Sequence, residues 1–234
     1  MPIADTTVLS FSHYLEQAEA KHPDFKLRLA HISKPLPAAK LAKIPDDRWL
    51  SVLSQCVFQA GFNWTVVENK WPRFEEVFCN FRPDVLVMWP QEQYEKFMQD
   101  ASIIRHMAKI NAVYENALFF TDLQHEHGSA AAWFATWKPE DYATNLAEFR
   151  RRSTRGGGRT GQVFLRRMGV DTLMFSGDMI LALTSMGVID GVPSSKASWK
   201  KLQEATDRWR DETGFSLSEL SQILAWSVGP REHG

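Results

Sequence analysis

The stretch RGGGRTG, residues 155–161, interrupts a chain whose apolar residues otherwise recur mostly at three- and four-residue steps. It lies between a helix predicted to end near Arg152 and a helix predicted to begin near Thr160. Such a turn leaves backbone N–H groups uncovered at a helix N-terminus, where the helix dipole favours an anion. The stretch therefore predicts a helix-turn-helix connection that can hold a phosphate. A plain flexible turn is the alternative, because glycine-rich turns are weak motifs.

The charge around this turn is strongly positive. Residues 148–167 carry seven arginines and one acid, a local excess of six positive charges, in a chain of 234 residues whose net charge is −1. A solvated arginine-rich helix face is the ordinary explanation of such a run. An anion-binding segment also explains the three consecutive glycines at its centre.

The rest of the chain predicts an all-α fold. Helical spacing of apolar residues covers residues 49–67, 73–81, 91–100, 106–123, 142–151, 162–168, 178–186, 198–212 and 216–226. Ser216 and Glu219 have the spacing of a capping box. Residues 25–43, with two prolines, are predicted as an extended arm. We therefore divide the chain into an N-terminal arm and helix, residues 1–45, and a helical domain, residues 46–234, with the hairpin at about 153–167.

Composition narrows the class of protein. The chain is 44% hydrophobic and 24% charged, as expected of an ordinary globular protein. No run approaches the roughly 18 apolar residues of a membrane span, and the N-terminus is too acidic and polar for a signal peptide. We therefore expect a cytoplasmic protein. Cys56 and Cys79 lack the spacing of metal or redox motifs, so we expect two buried thiols and neither a disulfide nor a structural zinc.

Two further segments hold candidate functional residues. FQAGFNWTVVENKWPRF, residues 58–74, places a glycine and bulky rings inside the predicted helix 49–67. Its rings could be ordinary core aromatics, with Gly61 permitting close helix packing. In FSGDMILAL, Asp178 occupies the predicted N-cap of an apolar helix, a role worth about 1 kcal/mol. Asp171 is a second acid in the same connection.

Together these segments resemble the helix-hairpin-helix superfamily of DNA glycosylases. The shared order is a glycine hairpin between two helices, a Thr-Gly pair, an apolar helix and an aspartate that opens the next helix. Upstream, QAGFNW and DASIIRHMAKI are similar to segments of the bacterial 3-methyladenine DNA glycosylase I family. The matching segments cover about residues 46–188. The resemblance implies a two-lobed helical fold with a cleft between the lobes.

The resemblance also implies roles for individual residues. An extruded base would lie in a pocket formed by Cys56, Phe58 and Trp64. Gln59 would enter the gap in the duplex, and further DNA contacts would come from Lys109, Arg155, Gly156, Gly157, Gly158, Arg159, Thr160 and Gly161. Asp178 would be catalytic, because a carboxylate can stabilise the oxocarbenium character of the sugar and position a water. The hairpin offers arginines rather than a nucleophilic lysine, which favours hydrolysis without lyase activity.

Two departures from the family limit what the resemblance implies. Cys56 stands where the family keeps a pocket glutamate, so we do not transfer the family's exact specificity. The Cys/His zinc clasp of the family is also absent, so we expect no metal site, zinc clasp or cofactor, although the hairpin could bind a cation. The expected function is a monomeric, monofunctional glycosylase, associated with the bacterial nucleoid, that removes an alkylated base such as 3-methyladenine from double-stranded DNA in base excision repair. Two alternatives are a DNA or damaged-base binding protein that does not excise, and a helical interaction protein whose glycines form only a flexible turn.

Overall fold

The computed structural model describes residues 10–228, and every regular element within that range is helical, which confirms the all-α prediction. The α-helices are α1 (Ser12–Lys21), α2 (Phe25–Ala30), α3 (Ala38–Leu41), α4 (Asp46–Gln59), α5 (Trp64–Val77), α6 (Pro83–Leu86), α7 (Gln91–Lys96), α8 (Met107–His127), α9 (Ala130–Ala135), α10 (Tyr142–Arg152), α11 (Gly158–Arg167), α12 (Gly177–Ser185), α13 (Lys196–Thr213) and α14 (Leu217–Val228). Short 3₁₀ helices occur at Cys79–Phe81, Phe97–Gln99 and Pro139–Asp141. Within the described range, none of the helices is long and apolar enough to cross a bilayer.

The chain packs as two compact units, each made of more than one segment. The terminal unit comprises Met1–Pro35, Lys138–Thr144 and Asp171–Gly234. The central unit comprises Leu36–Trp137 and Asn145–Val170. Helix α10 begins in the terminal unit and continues in the central one. The domain division predicted at residue 45 stays a prediction, since these units describe packing rather than independent folding.

The central unit is built around stacked aromatic rings. Trp49 of α4 stacks on Phe134 of α9, with ring centroids 4.3 Å apart. Phe134 also packs against Phe149 of α10 and Phe164 of α11. Phe149 and Phe164 stack on each other at 5.5 Å and 15°. Such pairs contribute about 0.5–1.5 kcal/mol beyond their burial, so α10 and α11 are fixed to the same core as α4.

The terminal unit brings the two ends of the described chain together. Helix α14 packs against α1 and α12. Phe11 and Tyr14 contact Trp209 of α13, with ring centroids 5.5 Å and 5.3 Å apart. The Lys21 ammonium donates to the carbonyl oxygen of Ser227 at 2.6 Å. The first helix is therefore held by the last two.

The start of α14 confirms the predicted capping box. The backbone N–H of Ser216 donates to the Glu219 carboxylate at 2.9 Å, and the N–H of Glu219 donates to the Ser216 hydroxyl at 3.2 Å. The Asp171 carboxylate accepts from the N–H groups of Leu217 and Ser218, both at 3.0 Å. Asp171 is therefore a half-buried cap of α14, and burial raises its pKa.

Two predictions of secondary structure were wrong. The helix predicted over residues 49–67 is two helices, because Gly61 adopts a φ of +75° and the Asn63 side chain caps α5 by accepting from Val66 N–H at 3.4 Å. Helix α5 then continues past Pro72. The arm predicted as extended over residues 25–43 contains the short helices α2 and α3.

Candidate functional site

A cavity of about 430 Å³ lies in the central unit between the end of α4, the start of α5 and the start of α11. This volume falls in the range of ordinary small-molecule sites, about 300–1,000 Å³. Its lining residues are Cys56, Gln59, Ala60, Gly61, Trp64, Arg159, Thr160 and Val163. The fold thus brings residues of the QAGFNW stretch together with residues of the glycine hairpin.

Trp64 and Phe58, both predicted to contact a base, have different environments. Trp64 is 45% exposed and lines the cavity, so it is not a core aromatic. Phe58 is fully buried and packs edge-on against Phe74 at 4.6 Å. The assignment of Phe58 to the pocket was therefore wrong, because its position on α4 faces the interior.

Gln59 forms part of the cavity wall. It is 1% exposed, its amide nitrogen donates to Glu68 at 3.1 Å, and its amide oxygen accepts from Arg167 at 2.7 Å. The predicted insertion of Gln59 into the duplex was therefore wrong, because the side chain is buried and both of its ends already have hydrogen-bond partners. In the loop between α4 and α5, the Phe62 side chain is 41% exposed to solvent.

Arg167, at the end of α11, is a site residue that the sequence analysis missed. Its guanidinium lies 5.1 Å from the centre of the Trp64 ring, within range of a cation–π contact. One guanidinium nitrogen also lies 3.7 Å from the Cys56 sulfur. The four-residue steps from Arg159 through Val163 to Arg167 could have placed it on the cavity side of the helix.

Cys56 is a neutral thiol at physiological pH. It is 4% exposed, and burial raises its pKa to about 11, with nearby Arg167 partly opposing that effect. Cys79, which was predicted to be buried, lies in a 3₁₀ turn and is exposed. The two cysteines therefore differ in accessibility.

Lys109 stabilises the end of α4. It is 4% exposed, and its ammonium donates to the carbonyl oxygens of Phe58 at 3.0 Å and Ala60 at 2.6 Å. It also lies 4.3 Å from the centre of the Phe62 ring. Burial lowers its pKa, with a further contribution from Arg155. The prediction of a DNA contact was wrong, because this ammonium is occupied by the carbonyls that α4 leaves unpaired.

The hairpin turn between α10 and α11 is held by α8. The buried Asn116 side chain donates to the carbonyl of Thr154 at 3.0 Å and accepts from its N–H at 2.8 Å. Arg155 has a φ of +58°, and its side chain donates to the carbonyl of Ala108 at 3.2 Å. The exposed turn is therefore fixed at two successive residues.

The hairpin glycines divide into two kinds. A Cβ at Gly161 would collide with the carbonyl oxygen of Gly156, and a Cβ at Gly156 would collide with the Ser153 hydroxyl, so both allow close approach. Gly157 faces open space, and Gly158 has a φ of +56° and is also exposed. Gly157 is the N-cap of α11 and has no side chain to cap its first amides. These amides suit an anion.

Asp178 is the second residue of α12, in the terminal unit. The predicted N-cap role was wrong, because Ser176 is the N-cap and its hydroxyl accepts from Met179 N–H at 3.1 Å. Asp178 is half-buried in the first helical turn, where the helix dipole favours a carboxylate.

The all-α architecture and the glycine hairpin between α10 and α11 match the helical DNA glycosylase fold that contains a helix-hairpin-helix. A solved 8-oxoguanine DNA glycosylase from Methanocaldococcus jannaschii has a TM-score of 0.53 and 15% identity, covering 91% of this chain and 92% of that one. A variant of 3-methyladenine DNA glycosylase I in complex with 3-methyladenine has a TM-score of 0.50 and 16% identity, covering 67% of this chain and 91% of that one. Both similarities concern the fold alone.

Sequence comparison finds a related family. The methyladenine glycosylase family model matches residues 42–157, just under half of the chain. It is 35% identical over 66 residues to DNA-3-methyladenine glycosylase 1 of Escherichia coli, covering 28% of this chain and 35% of that protein. It is 31% identical over 84 residues to DNA-3-methyladenine glycosylase of Haemophilus influenzae, covering 35% and 45%. The matched segments span less than half of these two relatives.

Proposed function

We propose that this protein is a monofunctional DNA glycosylase that hydrolyses the N-glycosidic bond of an alkylated base in double-stranded DNA, as a step of base excision repair. The observation that carries the proposal is the cavity, which brings the partly exposed Trp64 ring beside the N-terminus of α11 in a chain that matches the methyladenine glycosylase family model. The curated relatives are named for 3-methyladenine.

The hairpin is the proposed phosphate-binding element. The exposed amides at Gly157 and Gly158 and the positive end of the α11 dipole attract a backbone phosphate, and Arg155 and Arg159 add charge. The rigid attachment of the turn to Asn116 supports this role, because a fixed turn loses little conformational entropy on binding.

The cavity is the proposed base pocket. A base can enter it only after leaving the helical stack, and stacking on an aromatic ring such as Trp64 returns about 1–3 kcal/mol. In place of the buried Gln59, the exposed ring of Phe62 is the proposed side chain that fills the vacated gap in the duplex.

Asp178 is the proposed catalytic residue. As the glycosidic bond breaks, positive charge develops at the anomeric carbon, and an ionised carboxylate stabilises that charge and orients the attacking water. Two observations support the proposal: Asp178 opens a helix, and its capping task is performed by Ser176. The proposed partner is therefore damaged duplex DNA, bound by a monomer at the nucleoid in the cytoplasm.

A base-release assay tests the proposed activity. The protein is incubated with methylated duplex DNA, and free bases are separated by chromatography, while gel analysis without alkali tests for strand cleavage. We expect free alkylated base and intact strands from the wild type, and a large loss of release in Asp178→Asn. Salt-dependent duplex binding without release of any base would refute the activity.

That result would favour a second function, a protein that binds damaged bases without excising them. The specific observation in its favour is Cys56, a buried neutral thiol in the cavity wall where the resemblance implies a glutamate. Retained preference for damaged over undamaged duplex would then distinguish it from a general DNA-binding protein.

A further inference from the structure

We infer that the pocket selects a neutral alkylated base over a cationic one and that Arg167 is the specificity-determining residue. The inference rests on the proposed glycosylase function and narrows its substrate class. An etheno adduct of adenine belongs to the selected class, because it is alkylated and neutral. A 3-methyladenine nucleotide, whose purine ring carries a positive charge, belongs to the class that is disfavoured.

The first argument is the charge around the cavity. Among residues 10–228, the cavity lining includes Arg159 and no carboxylate. Arg167 adds a second guanidinium, which donates to Gln59 in the wall. Cys56 contributes a neutral thiol, and Glu68 is an exposed acid outside the lining that reaches the wall only through Gln59. A cationic base therefore meets like charge and finds no acid in the wall.

The second argument is the use of the Trp64 ring. An aromatic face attracts a cation through its quadrupole. The Arg167 guanidinium already lies 5.1 Å from the ring centre. A cationic base that stacked on this ring would be repelled by the guanidinium at short range, whereas a neutral base would not.

The third argument concerns the bond-breaking step. When the glycosidic bond to a neutral base breaks, the base departs with the bonding electron pair and becomes negatively charged, and it then takes a proton from water. A second water adds to the anomeric carbon and loses its proton to solvent, which completes the hydrolysis. N–H donors of Arg159 and Arg167 stabilise the charge that grows on such a leaving group. A cationic base becomes neutral as it leaves, so the same donors give it no assistance.

Ligand binding provides a test that does not depend on catalysis. The two probes are ethenoadenine, which is neutral, and a dimethyladeninium salt, which is a permanent cation, and their dissociation constants are measured by calorimetry. We expect the wild type to bind ethenoadenine more tightly. Arg167→Gln should shift the affinity ratio toward the cation by about tenfold. This is the order expected for the repulsion between two unit charges in contact at a partly exposed site.

Three further variants separate charge from other effects. Arg167→Lys keeps the charge and should keep the affinity ratio within about twofold of wild type. Arg159→Gln should shift the ratio in the same direction as Arg167→Gln, which retains the test if Arg167→Gln fails to fold. Arg82→Gln removes an exposed arginine of the same unit that pairs with Asp84, and it should leave the ratio unchanged.

Base release from two duplexes, one with an etheno adduct and one methylated, completes the experiment. We expect faster release of the etheno base and loss of that preference in Arg167→Gln. Tighter binding of the cation by the wild type, or an unchanged ratio in Arg167→Gln, would overturn the inference, as would Arg167→Lys behaving like Arg167→Gln. If the wild type prefers ethenoadenine but neither duplex releases a base, the inferred specificity of the pocket is confirmed and the proposed glycosylase activity is refuted.

Discussion

Gly161→Ala should distort the hairpin, and it should therefore lower both the stability of the protein and its affinity for DNA. The new Cβ would collide with the carbonyl oxygen of Gly156 and lie 2.9 Å from the Phe149 ring. Phe149 is itself stacked on Phe164, so its ring cannot move without disturbing the core. Overpacking of this kind costs about 1–3 kcal/mol, which corresponds to a fall in Tm of about 2–12 °C for a protein of this size.

Gly157→Ala is the matched control for the stability measurement. Its Cβ would meet open space, and its φ of −78° is suitable for alanine. The reduced entropy of the unfolded chain stabilises this variant by about 0.4–1 kcal/mol, and the poorer N-cap preference of alanine offsets a similar amount, so its Tm should stay close to that of wild type. Thermal unfolding followed by circular dichroism gives both Tm values, and fluorescence anisotropy with a labelled duplex gives the affinities over a range of salt concentrations.

The two measurements refute different parts of the reasoning. Equal Tm values for Gly161→Ala and Gly157→Ala would contradict the close contact between Gly161 and the carbonyl oxygen of Gly156. A lower Tm with unchanged affinity for duplex DNA, and an unchanged salt slope, would show that the hairpin does not bind phosphate. Loss of one phosphate contact should reduce that slope by about 0.9.

Three other substitutions and modifications follow from the structure. Trp64→Ala should reduce base excision far more than binding of undamaged duplex, because stacking on the extruded base is worth about 1–3 kcal/mol; equal losses in both assays would contradict the pocket assignment. Asp178→Asn should keep the fold, since Ser176 caps α12, and should lower turnover by on the order of 10²–10³; similar turnover would exclude its catalytic role. At pH 8, iodoacetamide should label Cys79 and spare Cys56, whose pKa is raised to about 11 by burial; two labels in the native protein, counted by mass spectrometry, would contradict that burial.

The sequence predicted the helical class and the hairpin because both depend on local patterns. Helical spacing requires only neighbours three and four residues away, and three consecutive glycines interrupt any helix. The capping box of α14 was equally local, since Ser216 and Glu219 satisfy each other's backbone N–H groups. Such features need no knowledge of which helix packs against which.

Several of the errors at the site depended on contacts between distant residues. Lys109 looked like a surface lysine, but it lies against carbonyl oxygens that precede it by about 50 residues in the chain. Asn116 gave no sign that it would hold the hairpin turn. Gln59 and Phe62 were separated only by the break after α4, which turned the amide inward and the ring outward. Local periodicity cannot specify these partners.

The interleaved arrangement of the two units also has a consequence for synthesis on the ribosome. The central unit ends at Val170, so all of its residues have been made while the last helices of the terminal unit have yet to be added. Helix α1, made first, must wait for Trp209 and α14 before its apolar face is covered. At about 5–20 residues per second, the 58 residues from 171 to 228 take about 3–12 s to translate. During that interval the nascent chain carries a completed hairpin and an uncovered N-terminal helix, whose exposed apolar surface is of the kind that requires chaperones.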